Sequence, residues 1–169
     1  MLRPVTADTP FLLSIAALSA SLAGLAGLVA ALRRGEGLST NDRYRLHQIV
    51  EFCFANILFA VSMIPLMSLT GDLQQSLRIG GAVAFVYVLV AAAVLVRRAR
   101  QLNIKLQREW MIIVAALNIG ALVTSAAAAL TGSVGAFQAL LVILLARPMV
   151  AFLFVLSSFE TGGERSRSD

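Results

Sequence analysis

Arg147 stands where a charge is hardest to accommodate, in the run Leu-Leu-Ala-Arg-Pro-Met-Val over residues 144–150. A guanidinium stays ionised and offers five N–H donors in a planar fork, so the chemistry open to it is recognition of an anion. Four further polar residues, Ser21, Asn56, Tyr87 and Asn118, each stand near the middle of a different apolar stretch. On helices with a rise of about 1.5 Å per residue, all five lie within about 5 Å of one plane. Each apolar stretch thus contributes one hydrogen-bonding group to a single layer. On the fourth stretch Asn118 shares a helical face with Gln107 and Ser125.

Two uses of this layer are open. Arg147 can be a structural charge, satisfied by Asn56, Asn118 or a backbone carbonyl. Pro148 lacks an N–H and frees the carbonyl of Leu144, and helical side chains lean toward the preceding turn, so the guanidinium is expected near that oxygen. The functional alternative is a cationic site for an anionic solute or lipid headgroup, or the polar lining of a passage.

His47 and Glu51 form a second constellation. At four-residue spacing they are neighbours on one helix face, aligned with Tyr44 and Ser62. A histidine beside a carboxylate can shuttle protons or act as acid and base. With no nucleophile or metal-ligand set beside the pair, an interfacial ion pair that anchors its helix is the favoured reading. A direct Glu51–Arg147 pair is disfavoured, because the two side chains lean toward opposite ends of the molecule.

Other chemistries are poorly served. Cys53 is the sole cysteine and His47 the sole histidine, which leaves no intramolecular disulfide and no multi-cysteine or multi-histidine metal site. No cofactor motif is present, and the inventory argues against an enzyme. The net charge of +5 does not imply nucleic-acid binding, since the basic residues fall in loops between apolar blocks.

The elements that position these residues follow from composition. Of 169 residues 59% are hydrophobic and 14% charged, against about 25% charged in a typical soluble domain. Mean hydropathy is +0.84. Crossing a bilayer core takes roughly 20 helical residues. Five segments meet that length: Pro10–Leu32, Ile49–Thr70, Arg78–Val96, Trp110–Leu130 and Gly135–Ser157. Thr9-Pro10 reads as a helix start, Gly71 and Gly132 as C-terminal caps, and Ser133 as the cap of the fifth helix. The expected fold is an all-α bundle of five transmembrane helices over residues 1–160. A disordered cytoplasmic tail is expected over 161–169.

Charge sets direction. Arg33, Arg34, Arg43 and Arg45 follow the first span, and Arg97, Arg98, Arg100, Lys105 and Arg108 follow the third. The positive-inside rule puts both loops in the cytoplasm, with the N-terminus outside and the C-terminus inside. The third-loop cluster would also attract anionic lipid. Tyr44 and Trp110 are expected in the interfacial belt. Arginine in place of lysine and abundant alanine hint at a GC-rich bacterial genome, hence an inner or plasma membrane.

Small residues recur at four-residue spacing on the first span, with Ala16, Ala20 and Gly24 on one ridge and Ala23, Gly27 and Ala31 on another. Such ridges permit close helix packing, within the bundle or between copies. The expectation is a small integral membrane protein, either an oligomeric transporter-like or anion-binding protein built on the Arg147 layer, or a structural or regulatory subunit of a larger membrane complex. Its partners are the bilayer and further membrane subunits, copies of itself or others.

Overall fold

The structure is a computed structural model that describes residues 9–32, 40–101 and 108–165, with side chains over 9–32, 43–97 and 112–156. The helices are α1 (Thr9–Leu32), α2 (Thr40–Thr70), α3 (Leu73–Gln101), α4 (Arg108–Thr131) and α5 (Val134–Arg165). All five are long and apolar enough to cross a membrane, as in a multi-pass membrane protein.

Two tight turns make antiparallel hairpins of α2–α3 and α4–α5. Gly71 and Gly132 adopt φ of 65° and 64°, the left-handed conformation that glycine takes without a Cβ clash. Their amides donate to the carbonyls of Met67 and Ala128, closing the last turns of α2 and α4. Asp72 Oδ1 accepts from the Gln74 amide at 2.9 Å and starts α3 at once. This helix therefore begins at Leu73, five residues before the expected Arg78. At the other extreme α5 runs on to Arg165, so residues 161–165 of the expected tail are helical. Extending an existing helix needs no new nucleus, which lets it pass Gly162 and Gly163. Residues 166–169 lie outside the described set.

α5 is the hub, touching each of the other four helices. Its turn-end half packs Phe137, Leu140 and Leu144 among Leu12, Met63 and Leu77. Its far half packs Ala151 and Val155 among Ala26, Leu46, Ile49 and Cys53. The second cluster marks the basic end, where α2 brings Arg43 and Arg45 and α3 brings Arg97. Between the clusters lies the level of Asn56 and Arg147.

α3 and α4 approach closely at Gly81, where a Cβ would fall 2.5 Å from the Ala129 backbone nitrogen. In contrast, Gly24 and Gly27 of α1 have nothing within 4 Å of an added Cβ. Each small-residue ridge is therefore used only in part, with Ala16 and Ala23 packed against the buried clusters and the glycines facing outward. Leu18, Leu28, Phe54 and Leu58 are exposed with them, as the outer face of a lipid-solvated helix is.

Candidate functional site

Helix α5 carries Arg147 into the interior with its backbone helical through Pro148. The arginine is 5% exposed and Pro148 is fully buried. Its guanidinium carbon lies 4.7 Å from the centre of the Phe52 ring, inside the range where an aromatic face attracts a cation. Among the described residues Nη1 has no hydrogen-bond partner.

No hydrogen bond to the Leu144 carbonyl, the partner expected from the sequence, is found among the described residues; the near neighbour is the Phe52 ring. Together with Gln48, Phe52, Leu95, Val114 and Ala151, Arg147 lines a cleft, on the basic-end side of the layer. The Phe52 ring supplies the reason, since it offers the guanidinium an electron-rich surface on that side. Both Glu51 and the guanidinium thus lie toward the basic end, yet no ion pair joins them. Glu51 instead faces His47 at 3.8 Å, with side-chain exposures of 43% and 65%.

A second cation–aromatic contact mirrors the first. Arg45 of α2 lies 5.7 Å from the Phe154 ring of α5. Seven residues separate Arg45 from Phe52, and seven separate Arg147 from Phe154. Each helix lends one arginine and one phenylalanine, two turns apart, to its antiparallel neighbour. Gln48 and Ala151 stand between the two contacts, and Gln48 Nε2 donates to the Tyr44 hydroxyl at 3.1 Å. Tyr44 is buried in the bundle and does not project outward. Trp110 has no described side chain.

Asn56 is fully buried, and its Nδ2 donates to Ser19 Oγ at 3.1 Å across α1 and α2. Ser19, also fully buried, occupies the place expected for Ser21. Ser21 is exposed and donates to its own helix at Ala17 O, 2.9 Å. Depth selected the right part of α1 but the wrong side: two residues turn a helix by about 200°. Asn118 Nδ2 bonds the Val114 carbonyl at 2.8 Å, beside the cleft. Tyr87 packs edge-on to Phe59 with ring centres 5.4 Å apart, within electrostatic reach of both Arg147 and Glu51. Ser125 bonds Leu122 O inside α4, and Gln107 lies outside the described residues.

Among the described residues, the buried side-chain polar atoms lacking any hydrogen bond are Asn56 Oδ1, Tyr87 Oη, Asn118 Oδ1 and Arg147 Nη1. All belong to the layer read from the sequence. Four helices therefore bring unspent donor and acceptor capacity to one level of the bundle. The chain matches no protein-family model, no curated protein and no solved structure. What the site can do rests on its own atoms.

Those atoms set limits. The cleft beside Arg147 holds about 20 Å³ of space for the centre of a water-sized sphere, and one water needs about 10–15 Å³ on the same measure. A hydrated solute does not fit there, but one or two small polar atoms do. Of the third-loop basic residues, Arg97 is exposed at the basic end. The side chains of Arg98, Arg100, Lys105 and Arg108 lie outside the described set.

Proposed function

We propose that this chain is a membrane-embedded binding protein in which Arg147 holds an anionic group, and that it works in an assembly with further membrane subunits, in the first instance copies of itself. The observation that carries the reading is a nine-tenths-buried arginine with an unbonded nitrogen and no carboxylate partner among the described residues. A central arginine costs about 2.5–3.5 kcal/mol to insert, and a desolvated cation–aromatic contact returns about 2 kcal/mol. An anion at Nη1 supplies the missing part through a charge-assisted hydrogen bond. The narrow cleft argues that any continuous passage is built from more than one chain.

Orientation follows the basic loops. The basic end faces the cytoplasm, the N-terminus lies outside, and Arg97, Arg98, Arg100, Lys105 and Arg108 meet anionic lipid headgroups at the inner surface of a plasma or bacterial inner membrane.

The reciprocal Arg–Phe contacts favour a second reading. In it Arg147 registers α2 against α5, and the protein is a non-catalytic structural or regulatory subunit of a larger membrane complex. Native mass spectrometry of the tagged protein, extracted in its own lipids, separates the two. A homo-oligomer carrying an anion or anionic lipid that is lost in Arg147→Gln supports the binding protein. A foreign subunit at fixed stoichiometry, with nothing bound that depends on Arg147, supports the structural one.

A further inference from the structure

The cleft beside Arg147 has walls as informative as its cation. Phe52, Leu95, Val114 and Ala151 are apolar, and Gln48 is the remaining polar group. A pocket for a free, hydrated anion needs several donors to replace its water. This one offers a single fork of donors against hydrocarbon. Space beside the guanidinium is about 20 Å³, which favours a small planar oxyanion that can span two guanidinium nitrogens, as a carboxylate does.

The way in is set by α2 and α3. Their interface is the smallest between helices adjacent in the chain. At the turn end they are tied by Thr70 and Ser76, whose hydroxyls are 2.6 Å apart, and by Ser76 against the Leu66 carbonyl. Midway, Phe59 meets Tyr87. Toward the basic end Gln48 and Phe52 on one helix and Leu95 on the other border the cleft. An opening between two membrane helices faces acyl chains.

We propose, resting on the reading of Arg147 as an anion site, that the ligand is a long-chain carboxylate admitted sideways from the bilayer between α2 and α3. Its headgroup pairs with Arg147 and its acyl chain lies along Phe52 and Leu95. This explains why an uncompensated cation is walled by hydrocarbon. A ligand with a hydrocarbon tail needs no aqueous route to it.

The test uses the full-length chain in detergent micelles, with oleate, an anionic phospholipid and inorganic phosphate as probes, read by native mass spectrometry. Three variants are compared: Arg147→Gln, Arg147→Lys, and Leu95→Trp, which fills the gap while keeping the charge. Size-exclusion elution and helical circular dichroism first confirm that each variant folds; Leu95→Trp and Arg147→Lys keep the test valid if the glutamine variant does not. The expected result is one oleate per chain, not displaced by a hundredfold excess of phosphate. Arg147→Gln weakens it at least tenfold, Arg147→Lys less, and Leu95→Trp about as much as Arg147→Gln. Phosphate or phospholipid bound through Arg147 in place of oleate overturns the carboxylate and leaves the anion site standing. Oleate binding unchanged by Leu95→Trp overturns the lateral route. Binding of every probe indifferent to residue 147 overturns both this inference and the anion site beneath it.

Discussion

The turn end and the middle of this bundle handle polar groups in opposite ways. At the turn end Thr70, Asp72, Ser76, Gln74, Thr131 and Ser133 form a closed set. Gln74 Nε2 bridges from one hairpin to the Thr131 carbonyl of the other at 3.1 Å, and the Ser133 amide donates to Thr131 Oγ1. In the middle, four buried atoms of the described residues have no hydrogen-bond partner. Leaving buried polar groups unbonded costs about 1–3 kcal/mol each. On the proposed reading, the satisfied turn end serves stability and the unsatisfied middle serves binding. This contrast also explains where the close packing falls, with Gly80 and Gly81 beside Met63 and Ala129 on the turn side of the layer.

The contrast can be broken first at the turn end. Gly81→Val would drive a side chain into the α4 backbone, and the cost is expected at about 3 kcal/mol, the upper part of the range for overpacking. Denaturant titration in mixed micelles measures it. A cost below about 1 kcal/mol would mean that α3 and α4 are loosely held. Within the layer, removing the bonded pair should matter less. Ser19→Ala strands the Asn56 amide and is expected to cost about 1 kcal/mol. Ser21→Ala, two residues away, serves as its control and should lie within about 0.5 kcal/mol of wild type. Equal effects of the two would refute the placement of Ser19 in the interior.

Much of this was legible in the residues. Five apolar runs define five helices, and glycines after the second and fourth define the hairpins, because a bilayer fixes helix length and a left-handed cap favours glycine. Depth counting found Asn56, Tyr87, Asn118 and Arg147, since polar groups in apolar runs are few. It failed on α1, whose apolar residues surround it on every side and give no stripe to say which serine faces inward. The early start of α3 was hidden because Asp72 reads equally as a loop residue. The near neighbour of Arg147 is Phe52, a partner 95 positions away that helix-local rules about side-chain lean do not see. Arginine and phenylalanine at seven-residue spacing on both helices was the signal that could have revealed it.

The most direct test of the account is Arg147→Met, compared with wild type for unfolding stability in micelles with and without oleate. A buried charge kept for binding can be replaced by a similarly long apolar side chain at little cost or with a gain. The account predicts that the methionine variant is at least as stable as ligand-free wild type and that oleate stabilises only the wild type. A variant destabilised by 3 kcal/mol or more, of the order seen when a buried charge network is broken, with oleate acting equally on both, would make Arg147 a structural residue and contradict the account.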